Sequence, residues 1–349
     1  MRPASGCKLF GAYQALGGIQ DGVVLLHSVV GCNFGSMSLH VAQDMRDIRQ
    51  TCTVISDSDV VFSGEASLER AVRSALELFQ PSVLFVVSGC VSEMIGDDIP
   101  AVLARIPHEA PLLHVEAAGF RGDAARGLEA GWLALLPLMK PPVPRPYPRP
   151  YPRSDPRPLV NLIGLGMDDP HAADDVEALR AMLAPQAALG AVLSRCTLEE
   201  VRRAPYADVN LVLRGKGREL AQAMKEYFGI PWEELDYPYG AAGADDLWSR
   251  LERRFGLDYH QARAELDRQI AEGAGKAYRY LQALYGMPAA ILASGPRADG
   301  LRRFLEQELG IEVCLTPRPH LGGQGTLHLL EDIFRGIMNG RTLKGALYQ

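Results

Sequence analysis

The sequence predicts an α/β protein whose domains are built on parallel sheets with helices on both faces. Short apolar runs, typical of buried strands, alternate along the chain with longer amphipathic stretches typical of helices. Strands that are separated by helices need crossover connections, and this favours a mostly parallel sheet. One proline-rich stretch interrupts the alternation and divides the chain into blocks.

The first block, residues 1–140, contains the clearest strand signals. The run at 82–88 (SVLFVVS) is apolar enough to be buried on both faces. A helix is predicted over 65–79, because Leu68, Val72 and Phe79 fall on one helical face. The strands predicted in this block cover 22–30, 59–62, 82–88 and 111–115.

Residues 141–158 predict an extended linker. Nine of these eighteen residues are proline and four are arginine. Proline fixes φ and removes a backbone donor, which excludes a helix or a central strand. An SH3 ligand is an alternative interpretation of the same composition, but a connector between two α/β blocks explains it without a partner.

Two further blocks follow the linker. A second α/β domain is predicted over 159–286, and a shorter third domain over 287–349. In the second domain we expect strands at 159–163, 190–193 and 209–213 and helices at 218–227 and 258–285. In the third we expect strands at 289–292 and 312–315 and helices at 301–309 and 327–338.

Composition excludes several classes of function. The chain of 349 residues carries 36 Lys and Arg against 42 Asp and Glu, a formal charge of −6 that argues against nucleic-acid binding. We find no apolar run of about 18 residues and no signal peptide, so we expect a cytoplasmic protein without a membrane anchor. Six cysteines are too sparse for a disulfide scaffold.

Familiar catalytic motifs are absent or incomplete. Gly164 and Gly166 follow a predicted strand, but Asp169 stands where a dinucleotide fingerprint needs its third glycine, so we interpret this as an ordinary βα turn. No P-loop occurs in the sequence, and hence any ATP hydrolysis belongs to another protein. We interpret three histidines as structural: His27, His114 and His320.

Three cysteines share a pattern that the others lack. Cys7 opens a predicted helix, whereas Cys32 and Cys90 each follow a predicted strand, and parallel strands end at one edge of the sheet. A glycine precedes each cysteine, and Gly31 and Gly89 would let backbone amides approach cluster sulfurs. From the residues alone, metal ligation and simple burial of three apolar thiols both remain open.

The motifs around these cysteines resemble the nitrogenase component 1 family. The resemblance is carried by the run from Cys7 to Cys32, by Asp59–Glu65 (DVVFSGE), by Cys90–Ile99 (CVSEMIGDDI) and by Gly119–Gly122 (GFRG). It continues through Asn210–Val212, Gly229–Trp232, 300–313 and Gly322–Thr326. It implies a fold of repeated Rossmann-like domains with the third one shortened.

The resemblance also implies a cofactor and partners. Cys7, Cys32 and Cys90 would hold an iron–sulfur cluster, either an eight-iron or a four-iron cluster, shared with a partner subunit. The partner would be an α-type chain or a second copy of this chain, and a separate ATP-dependent iron protein would donate electrons. The cysteine spacings of 25 and 58 residues fit the β-type subunit better than the α-type.

The function that this resemblance implies is that of a β-type, electron-relaying subunit of a nitrogenase-like reductase. The stretch after Asn210 lacks the thiol that anchors the active-site cofactor in α-type chains. Methylthio-alkane reductase is the preferred sub-family. A tetrapyrrole reductase (protochlorophyllide or nickel-sirohydrochlorin type) and a non-catalytic scaffold for cluster assembly are the alternatives. We expect no ligand role for Cys196 or Cys314 and leave Cys52 as a weak candidate.

Overall fold

The computed structural model describes residues 6–43, 49–139, 155–166, 172–213, 215–284, 288–291 and 296–315. The chain forms two compact units. The first comprises Ser5–Arg180 and Ala187–Glu233, and the second contains Ala181–Gln186 and the described residues from Glu234 onward. The domain boundaries drawn from the sequence stay a prediction.

Two four-stranded sheets in the first unit confirm the predicted α/β class. In the first sheet the strand order is β2-β1-β3-β4, and every pairing is parallel. All residues of β1 and β3 are buried, as expected for central strands of a sheet that is covered on both faces. The strands are β1 Gly22–His27, β2 Gln50–Cys52, β3 Val83–Ser88 and β4 Leu112–Glu116.

One predicted strand of this block is wrong. Residues 59–62 lie in a helix, because Ser56 caps its N-terminus: the Asp59 amide donates to the Ser56 hydroxyl, and the Asp59 carboxylate accepts from the Ser56 amide. Val61 and Phe62 are exposed on this helix, and β2 takes the place beside β1. The helices here are α1 Lys8–Leu16, α2 Val30–Gln43, α3 Asp57–Phe62, α4 Glu65–Phe79, α5 Cys90–Ile95, α6 Ile99–Ala104 and α7 Ala124–Leu133.

Helices α1 and α7 approach so closely that no side chain fits between their backbones. A Cβ atom on Gly11 would lie 1.8 Å from the Ala124 carbonyl oxygen, and one on Gly127 would lie 1.9 Å from the Lys8 carbonyl oxygen. The contact also aligns the two helix starts, since the Lys8 amide donates to the Gly122 carbonyl oxygen at 3.1 Å. The crossing therefore fixes the first turn of α1 against the segment that leads into α7.

The second sheet has the strand order β6-β5-β7-β8, and β5 pairs in parallel with both β6 and β7. A buried core cluster that includes Trp132 of α7 and Leu16 of α1 extends to Ile163 of β5 and Leu220, so these helices lie between the two sheets. The elements are β5 Leu159–Ile163, β6 Ala188–Val192, β7 Val209–Leu213, β8 Trp232–Leu235, α8 Ala172–Leu183, α9 Leu198–Arg203 and α10 Arg218–Phe228.

The second unit contains long helices and a short parallel pair of strands. Trp248 stacks on Tyr259 with ring centroids 5.7 Å apart, and its indole N–H donates to the Met182 carbonyl oxygen at 2.8 Å. The helix predicted over 301–309 is observed as the end of α13 followed by a π-helical turn. The elements are α11 Gly240–Phe255, α12 His260–Leu284, β9 Pro288–Ala290, α13 Pro296–Arg303 and β10 Glu312–Leu315.

Some sequence predictions lie outside the described residues. These are the helix at 327–338, the segment Gly322–Thr326, His320, Asp169 and most of the linker at 141–158. Among the helices that the structure does describe, none combines the length and the apolar character needed to cross a bilayer.

Replacement of Gly11 by alanine tests the helix crossing. The new methyl group would collide with the Ala124 carbonyl oxygen, so α1 and α7 must separate, and overpacking of this kind costs about 1–3 kcal/mol. We expect G11A to lower the thermal unfolding midpoint. The matched control is G275A on the exposed face of α12, where no atom lies within 4 Å of the new Cβ. Equal midpoints for G11A and the parent protein would contradict the crossing.

Candidate functional site

Three cysteines come together at one edge of the first sheet. Cys7 is the N-cap of α1, Cys32 lies in the first turn of α2, and Cys90 begins α5 directly after β3. All three are half-buried and free of disulfides. Burial is the main cause that raises the pKa of the Cys32 thiol, and the charges of Cys7 and Cys90 add to it, so the three thiols are electrostatic neighbours.

Gly119, in a 3-10 turn between β4 and α7, lies directly against two of these cysteines. Its amide donates to the Cys90 sulfur at 3.1 Å. A Cβ atom on Gly119 would lie 3.1 Å from the Cys7 Cβ, 3.4 Å from the Cys90 Sγ and 3.8 Å from the Cys7 Sγ. A glycine amide that faces thiol sulfurs is the kind of donor that stabilises thiolates and cluster sulfurs.

Glu93 holds the Gly119 turn in place. Its carboxylate is nearly buried and accepts from the Ser88 hydroxyl at 2.8 Å and from the Ala118 amide at 2.9 Å. The Arg121 guanidinium, which is half exposed, pairs with the other carboxylate oxygen at 2.7 Å. Glu93 of α5 therefore fixes the Gly119 turn, and the amide of that turn contacts Cys90, the first residue of α5.

The two predicted glycines differ in their surroundings. A Cβ atom on Gly89 would lie 2.2 Å from the Ser28 Oγ, so the segment that precedes Cys90 has no room for a side chain. Gly31 is exposed within α2, and no atom of the described residues lies within 4 Å of the position that its Cβ would occupy. The roles of both glycines toward a cluster stay predictions.

His27 belongs to a buried network beside the site. Its two ring nitrogens contact the Thr53 hydroxyl at 3.1 Å and the Asp97 carboxylate at 2.9 Å. The same carboxylate accepts from the Ser63 hydroxyl and from the Gly64 amide, both at 2.9 Å. Burial lowers the pKa of His27, partly offset by Asp97. The histidine thus fastens β1 to the segments around α3 and α5.

The other cysteines lie in different environments. Cys196 is fully buried in the core of the first unit, where burial strongly raises the pKa of its thiol. Cys52 ends β2 and is half-buried, and its sulfur accepts from the Val54 amide at 3.3 Å. Cys314 lies in β10, and its side chain is outside the described residues.

The donor set fits an iron–sulfur cluster. Three thiols, a facing backbone amide and partial burial are the features by which proteins bind iron–sulfur clusters. Over the described ranges, no group of three or more His, Cys, Asp or Glu side chains is arranged to hold a single metal ion. Thiolates of a polynuclear cluster bind different iron atoms, so they need not converge on one point.

Comparison with known proteins decides the family. The family model described as nitrogenase component 1 type oxidoreductase matches residues 7–320. The chain belongs to this family. The resemblance drawn from the cysteine motifs is thereby confirmed, and so is the expectation of an oxidoreductase. Nitrogenase component 1 proteins bind iron–sulfur clusters and assemble with partner subunits and an iron protein.

Curated relatives match almost the whole chain. The nitrogenase iron-molybdenum cofactor biosynthesis protein NifE of Methanosarcina barkeri is 29% identical over 332 residues, which cover 88% of this chain and 68% of the relative. NifE of Rippkaea orientalis is 27% identical, with coverages of 89% and 66%. The nitrogenase molybdenum-iron protein alpha chain of Methanothermobacter marburgensis is 26% identical, with coverages of 88% and 67%. The chain thus spans about two thirds of the length of these relatives.

Solved structures confirm the nitrogenase component 1-like fold. A structure titled "Nitrogenase Cp1 at pH 6.5" matches with a TM-score of 0.71 and 18% identity, covering 97% of this chain and 75% of that one. A second, "Nitrogenase Cp1 at pH 5", matches with a TM-score of 0.72 and 21% identity, covering 94% and 70%. At these identities the likeness establishes the fold alone.

Alanine at Gly119 tests the turn that faces the sulfurs. The added methyl group would press on the Cys7 Cβ and the Cys90 Sγ, and changes beside metal ligands typically cost about 10–100-fold in metal affinity. We expect G119A to bind iron more weakly than the parent chain when iron and sulfide are titrated under anaerobic conditions. G275A on α12, whose methyl group meets no atom within 4 Å and which has no predicted role at the cluster, is the matched control. Iron affinity unchanged in G119A would show that the turn does not face the cluster.

Proposed function

We propose that this chain is a β-type subunit of a nitrogenase-like reductase, in which Cys7, Cys32 and Cys90 hold an iron–sulfur cluster at the interface with a partner subunit. The observation that carries the proposal is the meeting of three half-buried thiols around one edge of the first sheet, with Gly119 against two of them. The cluster, an eight-iron or a four-iron one, would accept and pass on single electrons.

The residues of the chain have separate tasks in this proposal. The three thiolates bind iron, which compensates the cost of burying their negative charge. The Gly119 amide donates to the Cys90 sulfur. Glu93 and Arg121 keep the turn in position, so that the amide is directed before any cluster binds. Partial burial restricts water at the sulfurs while it leaves one side open to a partner.

Exposed apolar side chains on the cysteine-bearing elements support a subunit interface. Phe34 lies two residues after Cys32 on α2, Met94 lies on α5 with Cys90, and Phe120 follows Gly119. Their side chains are 73%, 74% and 60% exposed. Large exposed apolar side chains in one region mark an interaction surface. The proposed partner is an α-type subunit or a second copy of this chain, with an ATP-dependent iron protein as electron donor.

The subunit type and the sub-family rest on the sequence. Spacings of 25 and 58 residues between the cysteines support the β-type, and the absence of a thiol after Asn210 supports a relay role. Methylthio-alkane reductase is the member that we propose. A tetrapyrrole reductase of the protochlorophyllide or nickel-sirohydrochlorin type needs no cofactor thiol and is the alternative enzyme.

Assembly of a metal cofactor is the second candidate function. Two of the relatives described above are named as iron-molybdenum cofactor biosynthesis proteins, and this favours a scaffold that holds a cluster before it is transferred. The same three cysteines would serve either role, because both require a bound cluster.

Cysteine variants test the ligand set. We expect C32A and C90A to lose most of the bound iron and to pair less well with the partner subunit, because a cluster at an interface couples metal binding to assembly. The control is C196A, which removes a fully buried thiol outside the site. Iron analysis and size-exclusion chromatography of anaerobically purified protein give the answer. Full iron content in both C32A and C90A would overturn the assignment.

Turnover separates the relay from the scaffold. The chain, purified with its co-expressed neighbour, is supplied with an ATP-driven iron protein and with a methylthio-alkane or a tetrapyrrole. Formation of a reduced product supports the reductase and identifies its substrate class. Transfer of a cluster to an apo-enzyme without any turnover would instead support the assembly role.

A further inference from the structure

Ser28 carries a buried hydroxyl group that has no hydrogen-bond partner among the described residues. The residue lies between β1 and α2 and is fully buried. No nitrogen or oxygen atom of the described residues pairs with its Oγ. A buried hydroxyl group without a hydrogen bond costs stability, and such groups are rare in folded proteins. A serine at this position therefore needs an explanation, because an apolar side chain of similar size would fill the same space without this cost.

The surroundings of Ser28 are cysteine-bearing segments. Its Oγ occupies the space that a side chain on Gly89, directly before Cys90, would fill, at 2.2 Å from the Cβ position. Its carbonyl oxygen accepts from the Cys52 thiol at 3.6 Å. Its hydroxyl group also lies within interaction range of the Cys32 thiol, four residues further along the chain. A hydroxyl hydrogen can rotate toward a thiolate sulfur.

We propose that Ser28 is a positioning residue for the cluster, and that its hydroxyl group donates to the Cys32 sulfur when a cluster is bound there. This inference rests on the proposed function, since it requires iron at Cys32. Hydrogen bonds to cluster sulfurs favour the more negatively charged, reduced state. Ser28 therefore raises the reduction potential of the cluster without contacting iron.

This proposal also explains why Gly89 must be glycine. A side chain there would displace the Ser28 hydroxyl group from its place beside the thiols. The role of Gly89 is then to make room for a neighbouring donor, whereas Gly119 supplies its own amide to the Cys90 sulfur.

A serine elsewhere in the first unit provides a matched control. Ser194 is also buried, and its Oγ also has no partner among the described residues. Its backbone, however, packs against Gly18, and the residue follows β6 of the second sheet, whereas the three proposed ligands lie on elements around the first sheet. Removal of either hydroxyl group makes the same chemical change in a buried place, so only a role at the cluster separates the two variants.

The experiment compares the full-length parent, S28A and S194A chains, each purified anaerobically with its co-expressed neighbour and loaded with iron and sulfide. Iron content is measured first, and the midpoint potential of the cluster is then obtained from a redox titration followed by electron paramagnetic resonance. We expect S28A to retain its iron and to show a more negative midpoint potential, while S194A matches the parent. We also expect the parent to show an exchangeable proton coupled to the cluster that S28A lacks.

The outcomes separate this inference from the proposed function. A parent complex that binds no iron would refute the proposed function. A loaded S28A protein with the parent's midpoint potential would overturn the role of Ser28 alone. Loss of iron from a folded S28A protein would also overturn it, because Ser28 would then be a ligand or a structural residue. If S28A does not fold, as judged by circular dichroism, Ser28→Gly, which also lacks the hydroxyl group, is measured in its place.

Discussion

The contact between α1 and α7 determines the geometry of the site. With Gly11 and Gly127 at the crossing, the two backbones meet directly, and the start of each helix is held against the other. Cys7 opens α1, and Gly119 lies just before α7. A change in the distance between these helices would therefore alter the separation of a thiol and the turn that faces it. The same helices lie in the core between the two sheets, so core packing also stabilises their positions relative to the site.

The surroundings of the three thiols are shaped largely by backbone groups and by glycines that leave room beside them. Gly119 presents an amide to a sulfur, and Gly89 leaves space for a hydroxyl group. Glu93 contributes by fixing a turn, and His27 by fastening a strand end. Backbone donors cannot rotate away as side chains can, so their direction is determined by the fold. A site of this kind loses little entropy when it binds a large, rigid anion.

The sequence allowed the fold class, the central strands and the three clustered cysteines to be predicted, because continuous apolar runs and glycine–cysteine pairs are local signals. It did not reveal that 59–62 is helical, since the Val60–Phe62 run looks like a strand and only the Ser56 cap shows otherwise. Nor did it reveal the roles of Gly119 and Ser28. Their importance depends on contacts between segments far apart in the chain. The GFRG motif was the one sequence signal that pointed to Gly119, and no motif pointed to Ser28.

The exposed side chains of Val61 and Phe62 on α3 affect how the free chain behaves in a cell. A free copy of the chain offers these groups, together with Phe34, Met94 and Phe120, to water. Such surfaces favour self-association and attract chaperones and proteases while they stay uncovered. In the proposed complex, synthesis of this chain in step with its partner would keep the concentration of the uncovered form low.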